Sequence, residues 1–411
     1  MSVTVTRIEA DQPAAPPLRL MVVLCALMGF ASISTDFYLP AMPTMGKALH
    51  ADAGAMELTI AGYLIGFSSG QLVWGPLGDR FGRKRPIAIG LLLFIIGSIG
   101  CALAGSASAI IVWRIVQACG ACAGVVLSRA MVRDVYGAER SGAMLSTLIT
   151  VMAVAPLVGP LLGGQILLLA GWRAIFWVLV IIGLLTGAGL ATIPETLPPA
   201  HRSHRDMAGV MAGYAALLRD GRVMTCAMVG GFYYFGVYAY VAGSPFAFIT
   251  FSHVPPQRYG LIFGAGIVAI MLANMANVRL LPHFGGLRLI RWGALASAAS
   301  GLVLAFAAWT QWGGLWSLAL ACFVYVGASG LIVANSMARA MAHRPDQAGA
   351  VSALLGAAQY GCGMLGSAAI SVMADGTPRP MANAMAVAGC AAMASFLWLG
   401  ARSDRTTLRP S

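Results

Sequence analysis

The sequence predicts an all-α polytopic membrane protein with 12 transmembrane helices in two six-helix halves. The chain of 411 residues is 59% hydrophobic and only 10% charged, whereas soluble domains are about one quarter charged. It also contains 12 apolar runs of roughly the 20 residues that a helix needs to cross a bilayer. The longest polar stretch, residues 194–222, separates six of these runs from the other six.

The order of the runs gives the domain organisation. The first six lie at roughly 20–40, 56–77, 86–105, 109–131, 142–170 and 173–193, and the last six at roughly 223–250, 258–281, 288–309, 314–341, 347–374 and 381–401. We therefore expect an N-terminal tail at 1–19, a six-helix bundle at 20–193, a linker loop at 194–222, a second bundle at 223–401 and a tail at 402–411.

The basic residues predict the orientation in the membrane. If both termini are cytoplasmic, 21 of the 26 lysines and arginines lie on that side, and only Lys47, Arg173, Arg258 and Arg379 lie on the other. Positive charge concentrates in cytoplasmic loops, so this topology is favoured. The net charge of +12 is spread over short gaps between apolar runs, so it does not indicate a nucleic-acid surface.

The loop between the second and third runs, GPLGDRFGRKR, is rich in glycine and charge. Its glycines permit a tight turn, and its charges can bind helix ends or anionic lipid. An ordinary positively charged cytoplasmic loop would also explain these glycines and charges. However, it matches the complete signature G-x-x-x-D-R-x-G-R-[RK] of the major facilitator superfamily, which the chain resembles, at Gly75, Asp79, Arg80, Gly82, Arg83 and Lys84.

Two further motifs support this resemblance. RIVQACG in the fourth run is similar to the superfamily's R-x-x-Q-G motif, with Ala118 in place of its glycine, and Arg114 and Gln117 share a helix face. In the fifth run, APLVGPLLGG resembles the G-P-x-x-G-G motif of the antiporters. Its prolines weaken the helix and its glycines permit close helix packing, at Pro156, Gly159, Pro160, Gly163 and Gly164.

Four shorter stretches narrow the resemblance to the Bcr/CflA drug-resistance branch of the drug:proton antiporters: STDFYLPAMP, MVRDVYG, GWRAIFW and PETLPP. The resemblance implies efflux of bicyclomycin- or chloramphenicol-like compounds across the bacterial inner membrane, driven by protons, without a cofactor, by a monomer. It also implies that Asp79 helps to close the cytoplasmic side, with Arg129 or Arg133 as its partner. Simple anchoring of the topology is the alternative. The equivalent loop of the second half, LLPHFGGLRLIR, has no acid.

Asp36 is the acid that we expect inside the membrane, whereas the other 13 of the 14 acids fall in loops or at their edges. Counted from Arg19, it lies roughly 25 Å along a helix, within a hydrocarbon core of about 30 Å. An ionisable group at that depth indicates a functional site with a partner. Arg114 lies at a comparable depth, so protonation of Asp36 would release an Asp36–Arg114 pair and favour one conformation. The alternative is a capping carboxylate ahead of Pro40.

Candidate substrate contacts come from aromatic and amide side chains in the apolar runs. Rings with a polar tip suit an amphipathic ligand, although such tyrosines also form interfacial belts. Because no second acid is expected among these helices, we predict neutral or weakly charged substrates. The candidates are Tyr38, Gln117, Tyr233, Tyr234, Phe235, Tyr238, Asn274, Asn335 and Gln359, with Asn277 as a further buried amide.

Other functions fit less well. A transporter of the same fold for an endogenous metabolite (an amino acid, peptide or sugar, exported or imported) remains the alternative. An enzyme would need convergent catalytic groups, but the six histidines lie far apart in loops or at helix ends. A metal site is not expected either, because the pair Cys119 and Cys122 has no second pair or nearby histidine.

Overall fold

The computed structural model describes residues 18–152, 154–202 and 207–407, and these ranges form helices and short connections without a strand. The first half contains α1 (Leu18–Asp36), α2 (Met42–Ala48), α3 (Ala53–Phe81), α4 (Lys84–Leu103), α5 (Ala107–Met152), α6 (Val154–Ala170) and α7 (Trp172–Thr192). The linker contains α8 (Met207–Leu218). The second half contains α9 (Gly221–Pro245), α10 (Pro256–Thr310), α11 (Gly314–Gly327), α12 (Ser329–His343), α13 (Ala348–Val372) and α14 (Arg379–Thr407).

Nine helices of the described ranges are long and apolar enough to cross a membrane. One of them, α10, covers two of the predicted runs, and Gly285 breaks it between these runs with a φ of 73° that glycine adopts readily. The fifth run begins within α5, which continues from Ala107 to Met152, and ends as α6. No proline precedes Pro156 in this stretch, so the backbone hydrogen bonds can continue through the predicted gap.

The helices pack into two sets. In the first, α5 lies against α1, α3 and α4, and α7 lies against α4. In the second, α9 lies against α13 and α14, and α10 lies against α11, α12 and α14. The sets meet where α3 packs on α13 and α6 packs on α10, a contact that we call the seam.

The bundle has two ends. The end with the loop 75–85 and the linker carries most of the charge, and we call it the basic end. The other end carries the connections 104–106, 252–255 and 373–378, and we call it the opposite end. Near the opposite end, Ser371 Oγ donates to Gly54 O at 2.8 Å and Ser367 Oγ donates to Glu57 O at 2.9 Å. Hydrogen bonds thus hold the two halves together there.

Candidate functional site

Asp36 is the last residue of α1 and is only 6% exposed. The chain turns after it into a short 3₁₀ helix, Leu39–Ala41, which contains Pro40. Its Oδ2 atom is buried and has no hydrogen-bond partner. A negative charge at a helix C-terminus gains nothing from the helix dipole, so the capping role does not describe this carboxyl group.

Arg114 on α5 is fully buried. Its Nη1 atom donates to Ser34 O and to Gln117 Oε1, both at 2.8 Å. Its guanidinium carbon lies 4.2 Å from the ring centre of Tyr63, a distance at which cation–π attraction acts. The Nε and Nη2 atoms have no hydrogen-bond partner.

The expected direct pair between Asp36 and Arg114 is not formed. The structure shows no ion pair between the two side chains within 4.0 Å; instead, Arg114 holds the carbonyl group of Ser34, two residues before Asp36. Each charged group therefore keeps unused hydrogen-bonding capacity inside the protein. Such groups are costly to bury, so their presence indicates a functional site.

Tyr38 and Gln117 belong to this network inside the first half. Tyr38 is hydrogen-bonded to Thr59 and lies against the Arg114 guanidinium at 4.8 Å. Gln117 accepts from Arg114 and donates from Nε2 to Ser98 Oγ at 2.8 Å. Both side chains are fully buried, so their contacts orient Arg114 within the half.

The glycines of the proposed antiporter motif pack directly on Asp36. A side-chain carbon at Gly159 would lie 2.8 Å from the Asp36 Cβ atom, and one at Gly163 would lie 2.1 Å from the Phe37 carbonyl oxygen. Gly164 faces the Pro256 carbonyl group of α10 in the same way, at 3.0 Å. The motif thus lets α6 approach the end of α1 on one side and the second half on the other.

Five aromatic side chains connect the Arg114 site to the second half. The Phe67 and Tyr360 ring centres lie 4.5 Å apart across the seam, and Tyr360 lies 5.7 Å from Tyr234 and 6.0 Å from Tyr238. Tyr63, which contacts Arg114, stacks on Phe67 at 6.2 Å. These rings, the aromatic cluster, are Tyr63, Phe67, Tyr234, Tyr238 and Tyr360.

Three members of this cluster, Tyr63, Phe67 and Tyr360, were not predicted from the sequence. Tyr63 and Phe67 are four residues apart on α3 and so share a helix face, which is the signal that could have found them. Tyr360 directly follows the candidate Gln359. The predicted members Tyr234 and Tyr238 do lie at the junction of the halves.

The remaining predicted contacts lie elsewhere. Tyr233 is fully buried within the second half, where its hydroxyl donates to Val326 O at 2.8 Å. Phe235 is half-buried, and Gln359 is buried against Gly230. Their roles in the site stay predictions.

The amides of α10 and α12 correct one expectation. Asn335 Nδ2 donates to Asn277 Oδ1 at 2.6 Å, so these two buried amides are bonded to each other. Asn274, expected to be buried, is exposed. It lies three residues before Asn277 on the same helix, but its side chain takes no part in that pair.

The loop at the basic end is built around Arg83. Its Nη1 atom donates to Asp79 Oδ1 at 2.6 Å and its Nε atom to Asp134 Oδ2 at 2.8 Å. The expected partners of Asp79 were wrong: Arg129 and Arg133 are exposed and form no ion pair with it. The sequence predicted an arginine of α5 as the partner of Asp79. Instead, the loop supplies Arg83, and α5 contributes Asp134, which also binds Arg83.

The other motif residues of this loop are less constrained. Arg80 is exposed and lies over the Phe81 ring at 5.4 Å. Lys84 Nζ donates to Ile193 O at 2.6 Å, which ties the start of α4 to the end of α7. Gly75 has no neighbour that a side chain would meet, whereas Gly82 has a φ of 85° and faces the Glu195 carboxyl group.

Glu195, from the stretch PETLPP, caps the start of α4. Its Oε1 atom accepts from the Arg83 amide at 2.8 Å and its Oε2 atom from the Lys84 amide at 3.1 Å. Burial acts to raise the pKa of this carboxyl group, but bonds from the amides of Arg83, Leu197, Lys84 and Thr196 lower the pKa more, and the net shift is downward.

The second half has a charge contact of its own at the basic end. Asp220, just before α9, accepts from Arg344 at 2.8 Å and lies 3.2 Å from His343 Nε2. Asp220 thus joins the start of α9 to the end of α12. Burial acts to raise the pKa of Asp220, but the Arg344 hydrogen bond and two backbone amides lower it below its ordinary value.

Glu57 corrects the expectation that Asp36 is the one buried acid. It lies in the second turn of α3, is 5% exposed, and its Oε2 atom has no hydrogen-bond partner. In the sequence, Glu57 is the second residue of an apolar run, and this position predicts an acid at the edge of a helix. Packing against the second half is what buries it.

Two helical halves that meet at a seam, with ionisable groups buried beside it, are typical of secondary transporters of the membrane. Residues 23–367, more than half of the chain, match the Major Facilitator Superfamily, and the chain belongs to this family. The prediction of a transporter with this fold, and not an enzyme, is therefore confirmed.

Curated relatives cover nearly the whole chain. The Uncharacterized MFS-type transporter YdgK of Bacillus subtilis (strain 168) is 33% identical, with 94% of this chain and 96% of that protein covered. The Chloramphenicol resistance protein of Pseudomonas aeruginosa is 32% identical, with 85% and 83% covered. The Bicyclomycin resistance protein homolog of Haemophilus influenzae is 28% identical, with 90% and 92% covered.

Solved transporters share the architecture. The xylose transporter XylE from E. coli, in a partially occluded inward open conformation, is similar with a TM-score of 0.71 at 18% identity, over 93% of this chain and 97% of that chain. At this identity the likeness shows the fold alone. The prediction of a Bcr/CflA-type transporter is supported by the names of the sequence relatives.

Proposed function

We propose that this protein exports small amphipathic compounds, including antibiotics of the bicyclomycin or chloramphenicol type, in exchange for protons by alternating access. The observation that carries the proposal is the pair of buried groups, Asp36 and Arg114, which lie beside the aromatic cluster and are not bonded to each other. Relatives named for resistance to bicyclomycin and chloramphenicol support this class of substrate.

The basic end is the cytoplasmic end in this proposal, and both termini lie on that side of the bacterial inner membrane. The charge distribution supports this orientation. The protein works as a monomer and needs no cofactor, because the membrane potential supplies the energy. About 100 mV contributes about 2.3 kcal/mol per charge, which at about 1.4 kcal/mol per tenfold ratio supports a roughly 50-fold gradient.

The coupling step follows from the contacts of Asp36. When ionised, its carboxylate attracts the free Nε and Nη2 donors of Arg114, whereas the neutral acid does not. Arg114 also rests on Tyr63, which stacks on Phe67, and Phe67 touches Tyr360 of the second half. A movement of Arg114 when Asp36 is protonated therefore displaces the rings that contact the substrate.

The test is a drug-sensitivity panel in a pump-deficient bacterium that expresses the wild type or Asp36→Asn. We expect the variant to lose resistance to every exported compound, because its side chain cannot release a proton. Asp346→Asn, which removes an exposed carboxylate instead, is the matched control and should keep resistance. Counterflow in proteoliposomes without a gradient should persist in Asp36→Asn and would show that the fold and the substrate site survive.

Intact resistance in Asp36→Asn would contradict the proposed coupling. If counterflow instead occurred only with an amino acid, a peptide or a sugar, the protein would be a metabolite transporter.

A further inference from the structure

Glu57 lies on the seam close to the opposite end, two residues before Thr59, which is hydrogen-bonded to Tyr38 of the Asp36 site. Its backbone carbonyl group accepts from Ser367 of the second half at 2.9 Å. Its side chain borders a small pocket that is also lined by Phe246, Asp375 and Pro380. The carboxyl group is thus enclosed between the first half and the α9, α13 and α14 region of the second half.

The charges around Glu57 have the same sign as its ionised form. Asp52, just before its own helix, and Asp375, on the facing connection, are the charged groups that act on it. No ion pair within 4.0 Å reaches Glu57 from any of the residues that the structure describes, and Oε2 lacks a hydrogen bond. The closed seam therefore offers an ionised Glu57 neither a counter-charge nor a donor at this atom.

An ionised carboxylate in this position would be costly to bury, while the neutral acid would not. Opening the seam would return the side chain to water and separate it from Asp375. Proton binding to Glu57 and closure of the seam are then linked equilibria, so each favours the other.

We propose that Glu57 is a second proton-binding group of this transporter, and that it must take up a proton before the seam can close at the opposite end. The proposal rests on the alternating access of the proposed function, but not on the identity of the exported compound. When the opposite end is open, Glu57 is ionised and takes one proton from the medium on that side. When the opposite end is closed, the proton stays on the carboxyl group.

This order suits an exporter. If the opposite end faces outward, the more acidic side supplies the proton, and closure follows release of the compound. Asp36 responds beside the aromatic cluster, whereas Glu57 responds at the outer contact between the halves. The two acids therefore act at different points of one cycle.

The test compares amide hydrogen exchange of the seam peptides 53–60 and 367–378 in wild type and Glu57→Gln in lipid nanodiscs. Both proteins are measured at the same pH values, from about pH 5 to about pH 9, so the intrinsic effect of pH on exchange cancels in their ratio. Glutamine is always neutral and should keep the seam closed. We expect a ratio near one at the acid end and a several-fold faster exchange of the wild type at the alkaline end.

Asp346→Asn, an exposed acid at the basic end, serves as the control and should follow the wild type at every pH. Glu57→Met is a second neutral variant in case glutamine disturbs folding, and it should behave like Glu57→Gln. A wild-type to variant ratio that stays the same at all pH values for both neutral variants would overturn the proposal, because a packing role does not depend on protonation.

The two proposals fail separately. Resistance that persists in Asp36→Asn, with a pH-dependent exchange ratio at Glu57, would remove the proposed coupling through Asp36 and leave Glu57 as a proton-binding group. Loss of resistance in Asp36→Asn, with an exchange ratio that does not change with pH, would support the coupling through Asp36 and remove Glu57 as a proton-binding group.

Discussion

At the scale of single residues, the decisive property is burial without a partner. Asp36, Glu57 and Arg114 each keep at least one buried polar atom that has no hydrogen bond. By contrast, Asp79 and Asp134 at the basic end are bonded to Arg83. Paired charges stabilise one conformation, whereas unpaired buried charges can respond to a proton.

Gly159 tests the contact between the antiporter motif and Asp36. Gly159→Val should push α6 away from the end of α1, because its Cβ atom would lie 2.8 Å from the Asp36 Cβ atom. We expect a loss of about 1–3 kcal/mol of stability, as for other overpacked sites, together with loss of resistance. Thermal unfolding in detergent and the drug panel measure the two effects.

Gly349→Val is the control for this prediction, because no atom lies near enough to Gly349 to meet a side chain. Equal unfolding temperatures for the two valine variants would mean that α6 does not need its close approach to Asp36.

Some of these buried charged residues were predictable from the sequence. Depth along an apolar run was enough to find Asp36 and Arg114. It could not find Glu57, because a position near a helix start is buried or exposed according to what packs on it. Nor could it predict that Arg114 binds the Ser34 carbonyl group and the Tyr63 ring, since helix rotation decides which neighbour is reached.

At the scale of helices, Glu195, which lies in the connection after α7, helps to hold the basic end of the first half together. Glu195 follows α7 and accepts from the amides at the start of α4, where the helix dipole is positive. Arg83, at the same point, binds Asp79 of α3 and Asp134 of α5. The ends of α3, α4 and α7 and the interior of α5 are therefore joined in one place.

Replacement of this cap predicts a pH-dependent loss of stability. The pKa of Glu195 in the folded protein lies below its ordinary value of 4.5, so the stabilisation is present at neutral pH and disappears as the pH falls through the folded-state pKa. Glu195→Gln should be less stable than the wild type by about 1 kcal/mol at neutral pH, since the group is partly exposed to water. Unfolding temperatures measured from neutral to acid pH should converge.

Asp346→Asn should show no such convergence. A difference between Glu195→Gln and the wild type that stays constant down to acid pH would show that the charge on Glu195 does not stabilise α4.

The order of the apolar segments was predictable, because apolar length shows which parts of the chain can cross a membrane. The ends were not. α5 continues through a polar stretch that suggested a loop, and α10 includes two predicted runs, one on each side of the break at Gly285. A polar segment can stay helical outside the membrane as long as no proline interrupts its hydrogen bonds, and hydropathy does not report this.

At the scale of the whole molecule, the seam is the contact that must open and close. It includes backbone that approaches very closely: a side-chain carbon at Gly54 would lie 2.5 Å from the Ser371 carbonyl oxygen of the other half. Serine hydroxyls cross the seam at Ser68, Ser367 and Ser371. Such weak polar contacts can separate without exposing a large apolar core.

Gly54→Val should therefore hold the opposite end apart without unfolding either half. We expect faster amide exchange of peptide 367–378 than in the wild type, loss of resistance, and an unfolding temperature that falls less than in Gly159→Val. The contrast is informative because both substitutions add the same side chain, one between the halves and one within the first half.

Gly349→Val is again the control. Unchanged exchange of peptide 367–378 in Gly54→Val would mean that the halves can close over a side chain at this position, and the seam would then be looser than the contacts indicate.

The aromatic cluster also has a pharmacological consequence. Its rings come from both halves, so a compound bound there, as the proposed function expects, would touch two halves whose separation changes during the cycle. A small, flexible compound can follow that change and be carried across. A rigid compound that binds these rings but is too wide for the closed seam would stop the cycle, so the rings proposed to contact exported compounds would also be a place for an inhibitor to bind.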